Sequence, residues 1–103
     1  MRYISTRGTA PTLAFNEVLL AGLARDGGLY VPEIWPTFTP DQFRAMRGLS
    51  YADLAIRVMT PFLGGRVGEA EFAELVRDAY AGFNHAAVTP MVQVGRWPMV
   101  AAF

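Results

Sequence analysis

The sequence contains no lysine, since all nine of its basic side chains are arginine. Schiff-base chemistry needs an amine that can lose its proton, and a guanidinium does not supply one. Only a chain-terminal amine is left, which is no ordinary anchor for a carbonyl group. Cysteine is absent too, which excludes a disulfide framework and a thiolate metal site. One histidine, His85, and scattered carboxylates give no metal-ligand spacing. Nine acidic residues balance the nine arginines, and the arginines are dispersed, so there is no nucleic-acid footprint. No apolar run is long enough to span a bilayer, so no membrane partner is expected. The N-terminus shows no basic segment followed by an apolar one, so no signal peptide is visible and a cytoplasmic location is expected. Internal repeats and low-complexity segments are also missing.

What is present is apolar: 52% of the 103 residues are hydrophobic and only 17% are charged. That length allows one domain with a modest core. The apolar excess implies a surface that faces a partner. The stretch from Leu19 to Pro32, LLAGLARDGGLYVP, organises the chain. Leu19, Leu20 and Leu23 form a helical stripe, Arg25 suits a helix C-terminus, and Asp26-Gly27-Gly28 reads as the stop. Leu29, Tyr30 and Val31 then favour an extended pleat that Pro32 ends.

The remaining elements follow from caps and periodicity. Arg2 to Ser5 reads as a strand and Ser5-Thr6-Arg7-Gly8 as a polar turn. A first helix is expected over 15–25; Ala14 is a poor cap for it, and Asn16 is an alternative that starts it later. Trp35 and Phe38 are expected to cover the core. Thr39-Pro40-Asp41-Gln42 is a capping box that opens a short helix over 40–47. Ser50 opens a helix over 51–63 with Tyr51, Leu54, Ala55, Val58 and Phe62 on one face, and Pro61 predicts a kink or restart near Thr60. A fourth helix over 69–81 carries Phe72, Leu75, Val76, Ala79 and Tyr80. Met91 to Val94 reads as a strand, Gly95-Arg96 as a turn, Trp97-Pro98 as part of that turn, and Met99 to Ala102 as a returning strand. The expected fold is a small, mostly helical α+β domain with four helices and a few short strands.

Four segments stand in one order at consistent spacings: STRG at 5–8, FNEVLLAGLARDGGLYVPE at 15–33, LSYADLAIRVMTPFLGG at 49–65 and AYAGFNHAAVTPMVQV at 79–94. Together they resemble the N-terminal region of threonine synthase over residues 1–97. The resemblance implies a domain at 1–88, followed at 89–103 by a strand and turn leading toward a catalytic domain. It implies a pyridoxal-phosphate enzyme that converts O-phospho-L-homoserine and water to L-threonine and phosphate. It also implies a small helical domain packed against two cofactor-binding domains. The family's cofactor lysine lies in a motif like GPT-x-AFKD, which this sequence lacks. APTLAF at 10–15 echoes it but is followed by Asn16. The expectation is therefore an N-terminal domain, truncated or encoded alone, that binds no cofactor and is inactive by itself. The alternative is a free-standing helical module that binds another protein.

Few residues invite chemistry. Gly27-Gly28 and Gly64-Gly65 lack the lysine and hydroxyl of a phosphate loop and read as helix stops. His85 has no nucleophile signature beside it and reads as a surface or interface residue. Asp41, Asp53, Glu69, Glu71, Glu74 and Asp78 fall at helix starts or on polar faces, where caps and solvation explain them. Ser5, Thr6 and Arg7 place two hydroxyls beside a guanidinium, which can hold the phosphate of a phosphate monoester, the substrate class the resemblance implies; a polar turn with Arg7 paired to a carboxylate is the plainer reading. These three, with Asp26, Gly27 and Gly28, are also the expected docking surface, because they are the matched positions least needed for a core. Self-association of the isolated chain is expected on the same grounds.

Overall fold

The structure is a computed structural model and describes residues 1–100. Its elements are β1 (Tyr3–Ser5), α1 (Phe15–Ala21), β2 (Tyr30–Pro32), α2 (Pro40–Ala45), α3 (Tyr51–Leu63), α4 (Glu69–Ala81), β3 (Met91–Val94) and β4 (Trp97–Val100). β1 pairs antiparallel with β2, Tyr3 opposite Pro32 and Ser5 opposite Tyr30, while β3 and β4 form a separate hairpin. This is the small α+β domain with four helices that the caps and stripes predict.

The helix starts follow their sequence signals. The Thr39 hydroxyl accepts from the Gln42 N–H at 3.2 Å and the Gln42 side chain accepts from the Thr39 N–H at 2.7 Å, a complete capping box. The Ser50 hydroxyl accepts from the Asp53 N–H at 3.1 Å. α1 starts at Phe15 with Ala14 as its cap, not later at Asn16. Alanine offers no acceptor, so only half a box forms: Glu17 accepts from the Ala14 N–H at 2.8 Å. α3 runs unbroken through Pro61, without the expected restart. The Thr60 hydroxyl donates to the Ile56 carbonyl at 2.7 Å, one turn back in the same stretch.

The core lies where α3 and α4 cross. Leu63, Phe72 and Val76 are buried, and Phe15, Ala52, Ala55, Ile56, Val67 and Tyr80 pack around them. Facing α4 with Ala52 and Ala55 lets the two helix backbones approach closely, and this turns α3 so that Leu54 and Val58 of the expected stripe fall at the rim, each 37% exposed. Arg77 bridges to Asp53 at 3.1 Å, and the Tyr51 and Tyr80 rings meet edge-on at 4.9 Å, both across the same pair. The β1–β2 ribbon is tied to this body by one long-range bond: the buried Tyr3 hydroxyl donates to the Phe62 carbonyl at 2.7 Å. Trp35 contributes less than expected. Its ring meets Phe62 edge-on but remains largely exposed. Phe38 is half-buried and packs edge-on against Phe43.

α2 ends at Ala45 and not near 47, and β1 and β2 begin one residue later than expected, at Tyr3 and Tyr30; two further boundaries change the reading. α1 ends at Ala21, not near Arg25, because Gly22 takes the left-handed φ of 66° and its N–H closes onto Val18 at 3.1 Å. Asp26-Gly27-Gly28 is thus a turn of its own and not the helix stop. The returning strand also begins earlier, at Trp97, with Gly95-Arg96 as a two-residue turn and Ala101 and Ala102 outside the described residues. Trp97 and Pro98 therefore belong to β4 and not to the turn. Pro98 opposes Gln93, one step from the closing pair Val94 and Trp97. In a two-residue hairpin that step is the pair without mutual hydrogen bonds, so the missing N–H costs the ladder nothing.

Candidate functional site

The two polar segments that the sequence singles out, 5–7 and 26–28, meet in space. Asp26 is their hub. Its Oδ1 accepts from the Ser5 hydroxyl at 2.8 Å and from the Gly28 N–H at 3.0 Å. Its Oδ2 accepts from the Thr9 N–H and hydroxyl, both at 3.1 Å, and from the Ala10 N–H at 2.9 Å. Desolvation would push the Asp26 carboxyl up, but the bonds from Gly28, Ser5, Thr9 and Ala10 outweigh it and hold the carboxyl well below the usual carboxylate range. The bonds favour the anion, which is held by donors from Ser5, from Thr9 and Ala10, and from Gly28.

The rest of the clasp follows from β-ribbon register. The Thr6 N–H donates to the Leu29 carbonyl at 2.8 Å, and the Leu29 N–H returns a bond to the Thr6 hydroxyl at 3.0 Å. The Arg7 N–H donates to the Ser5 hydroxyl at 3.1 Å, and Arg7 Nη1 donates to the Asp26 carbonyl at 2.9 Å. Gly28 is buried beneath this turn. A Cβ there would fall on Ser5 Oγ and would lie 3.0 Å from Thr6 Oγ1 and 3.1 Å from the Arg7 backbone nitrogen. Glycine is required by close approach, not by its dihedral angles.

The arrangement shows what each candidate residue does locally. Ser5 is buried and its hydroxyl is committed to Asp26. The Thr6 hydroxyl accepts from the Leu29 N–H and keeps its own O–H donor. Arg7 meets Asp26 through the backbone carbonyl and not through the carboxylate, and the outer donors of its guanidinium face solvent. Asp26, Gly27 and Gly28 close a loop in which the Gly27 N–H reaches the Ala24 carbonyl at 2.8 Å and the Ala24 N–H reaches the Gly28 carbonyl at 2.9 Å. Sequence reasoning missed Thr9 and Ala10; Ala10 acts through its backbone N–H alone, and Thr9 adds its hydroxyl to its N–H, a threonine that no local pattern ties to a carboxylate 17 residues on. It also placed the helix stop at Asp26, although Gly22 stands in the sequence as an earlier one.

Two clefts lie elsewhere. One, of about 550 Å³, runs between α2 and α3 and is lined by Phe38, Leu49, Ile56 and Pro61 with Asp53, Arg57 and Glu69 at its edges. The other, of about 450 Å³, is lined by Phe83, Asn84, His85, Val88 and Pro90. His85 Nδ1 accepts from the Ala87 N–H at 3.1 Å, which leaves Nε2 as the donor of the neutral ring. No acid orients that ring among the described residues, and no nucleophile lines the cleft. Among the described residues no three metal-ligating side chains converge, and no helix is long and apolar enough to cross a membrane.

Residues 2–80 match the family model for the threonine synthase N terminus. The chain is 53% identical over 94 residues to threonine synthase of Pseudomonas aeruginosa, an alignment covering 91% of this chain and 20% of that protein. It superposes with a TM-score of 0.85 and 52% identity on PLP-bound threonine synthase from Brucella melitensis, over 97% of this chain and 22% of that one. Yeast threonine synthase matches with a TM-score of 0.79 and 35% identity, over 89% of this chain and 19% of that one. The chain therefore spans about a fifth of the length of the relatives it matches.

Proposed function

The chain belongs to the threonine synthase N-terminal family, and from that premise we propose that it serves as the N-terminal domain of an enzyme converting O-phospho-L-homoserine and water to L-threonine and phosphate. The observation that carries the reading is the match of nearly the whole chain, in sequence and in fold, to the first fifth of such enzymes.

The residues present do not suit the pyridoxal phosphate that the Brucella melitensis enzyme holds. The sequence has no lysine to carry it. No step of the reaction is assigned to this segment; its work is structural. The clasp fixes the turn at 5–10 against the loop at 24–29, and Tyr3 and Phe15 tie this part of the chain to the α3–α4 body. Residues 89–103 lead toward the catalytic portion. Of the candidate phosphate ligands, Ser5 spends its hydroxyl donor on Asp26, while the exposed Thr6 hydroxyl and the Arg7 guanidinium keep donors outside the clasp, so any contact with a substrate phosphate from this segment falls to Arg7 and Thr6.

The test is a chimera. The aligned segment of the Pseudomonas aeruginosa enzyme is exchanged for this chain's, and phosphate release from O-phospho-L-homoserine is measured. Activity within a few-fold of the parent supports the reading. A folded, cofactor-loaded chimera as inactive as the enzyme with the segment deleted overturns it. An Arg7→Ala change in the chimera separates a phosphate contact, which raises KM, from a purely structural role, which lowers stability at unchanged KM.

A further inference from the structure

The end of α1 and the loop after it expose four leucines within eleven residues: Leu19 is 70% exposed, Leu20 88%, Leu23 64% and Leu29 59%. α1 touches the core through Phe15, and its last turn runs past that core into solvent. Beyond Gly22 the chain does not drift. The Ala24 N–H binds the Gly28 carbonyl at 2.9 Å, which brings Leu23 and Leu29 to the two sides of one closed loop. Leu29 is bonded twice to Thr6, and Asp26 ties the same loop to Thr9 and Ala10. The backbone is thus held rigid while its apolar side chains face out.

This pairing of rigidity with exposure needs an explanation. A loop that only connected elements would carry polar residues here, since scattered single apolar residues are ordinary on a surface but four exposed leucines on one short closed segment are not. A rigid apolar surface loses little conformational entropy when a partner covers it. We infer that Leu19, Leu20, Leu23 and Leu29 form a preorganised docking face for the catalytic portion of the same enzyme. This rests on the function proposed above. The occupant follows from chain length: about four fifths of each matched relative lies beyond this segment. The docking face adjoins the polar clasp but differs from it. The clasp residues turn inward to bind one another, and the leucines turn outward.

The experiment changes Leu20 and Leu23 to Asp together, in the chimera and in the isolated chain. In the chimera the docked state must then bury carboxylates without partners. Phosphate release falls by about tenfold or more, the thermal midpoint drops, and an apolar-surface dye binds. In the isolated chain both positions face solvent, so the circular dichroism spectrum is unchanged and self-association falls. A milder Leu20→Ser change gives the same pattern with a smaller loss. A doubly changed chimera with the parent's midpoint and dye response overturns the inference. So does a chimera that is unaffected while self-association of the isolated chain disappears, which would assign the face to a second copy. An inactive unsubstituted chimera would defeat the proposed function instead, and the midpoint and dye readings would still decide whether the leucines dock.

Discussion

Replacing Gly28 by alanine adds one methyl group at the tightest point of the clasp. The new Cβ would fall on Ser5 Oγ and crowd Thr6 Oγ1 at 3.0 Å and the Arg7 nitrogen at 3.1 Å. Of these neighbours, the Arg7 nitrogen is backbone and Ser5 is buried, so neither can swing aside. Ser5 Oγ also cannot move without loosening its bonds to Asp26 and from the Arg7 N–H. Overpacking of this kind costs about 1–3 kcal/mol, and the loosened Ser5 bonds place this site in the upper part of that range. We expect a total loss of about 2–3 kcal/mol. For a domain of this size each kcal/mol moves the midpoint by about 4–8 °C, so the shift should be about 10–20 °C. Gly82→Ala is the matched control. Its φ is −80° and nothing lies near the added methyl, so it should be neutral or stabilise by about 0.5 kcal/mol. Thermal unfolding followed by circular dichroism measures both. If Gly28→Ala proved no less stable than Gly82→Ala, the clasp would not be the constraint described here.

Further outcomes follow from the same geometry. Ala14→Ser supplies the acceptor that the first helix lacks at a backbone already extended, with φ −88° and ψ 166°, and should raise stability by about 1 kcal/mol in urea unfolding; no gain would mean the Glu17 half-box already suffices. Phe72→Ala empties the centre of the α3–α4 core and should cost about 3–5 kcal/mol, enough to abolish the cooperative transition of a domain with so small a core. Asp26 and Asp53 both titrate below their ordinary value of 3.8 in the folded chain, Asp53 because the Ser50 hydroxyl and the Arg77 guanidinium bind its anion. Depressed carboxyls give stability that is complete above 3.8 and is lost as pH falls through the folded values. The urea midpoint should therefore hold from neutral pH down to about pH 4 and then drop, and Asp26→Asn should start lower and drop less; a midpoint independent of acid would contradict the hub.

Local signals in the sequence carried most of the fold. Thr39, Pro40 and Gln42 spell a helix start because cap and capped residue lie three apart, and the structure closes both bonds. Ser50 caps its helix by one such bond, accepting from the Asp53 N–H three residues on. The end of α1 was harder to read. Leu23 prolongs the apolar stripe past Gly22, so periodicity alone continues the helix, whereas the bond from Ala24 to Gly28 makes the loop close early. That bond depends on the clasp, and the clasp joins Ser5 to Asp26 across 21 residues. The candidate site was legible as two polar segments but not as one cluster, since three of the five donors to the Asp26 carboxylate are backbone N–H groups. The apolar stripes were legible as stripes, but periodicity does not say what covers them. Thus Leu19 and Leu23 read as an apolar stripe from the sequence, and the structure leaves them exposed.

The most direct test of the central claim, that this segment is shaped to be covered by a larger enzyme, is side-chain footprinting. Hydroxyl radicals oxidise exposed leucines, and mass spectrometry reads the extent at each residue. The isolated chain and the chimera are labelled in parallel, with the buried Phe72 as internal reference. We predict that Leu19, Leu20, Leu23 and Leu29 are oxidised in the isolated chain and protected several-fold in the chimera. Equal oxidation of the four leucines in both would contradict the account.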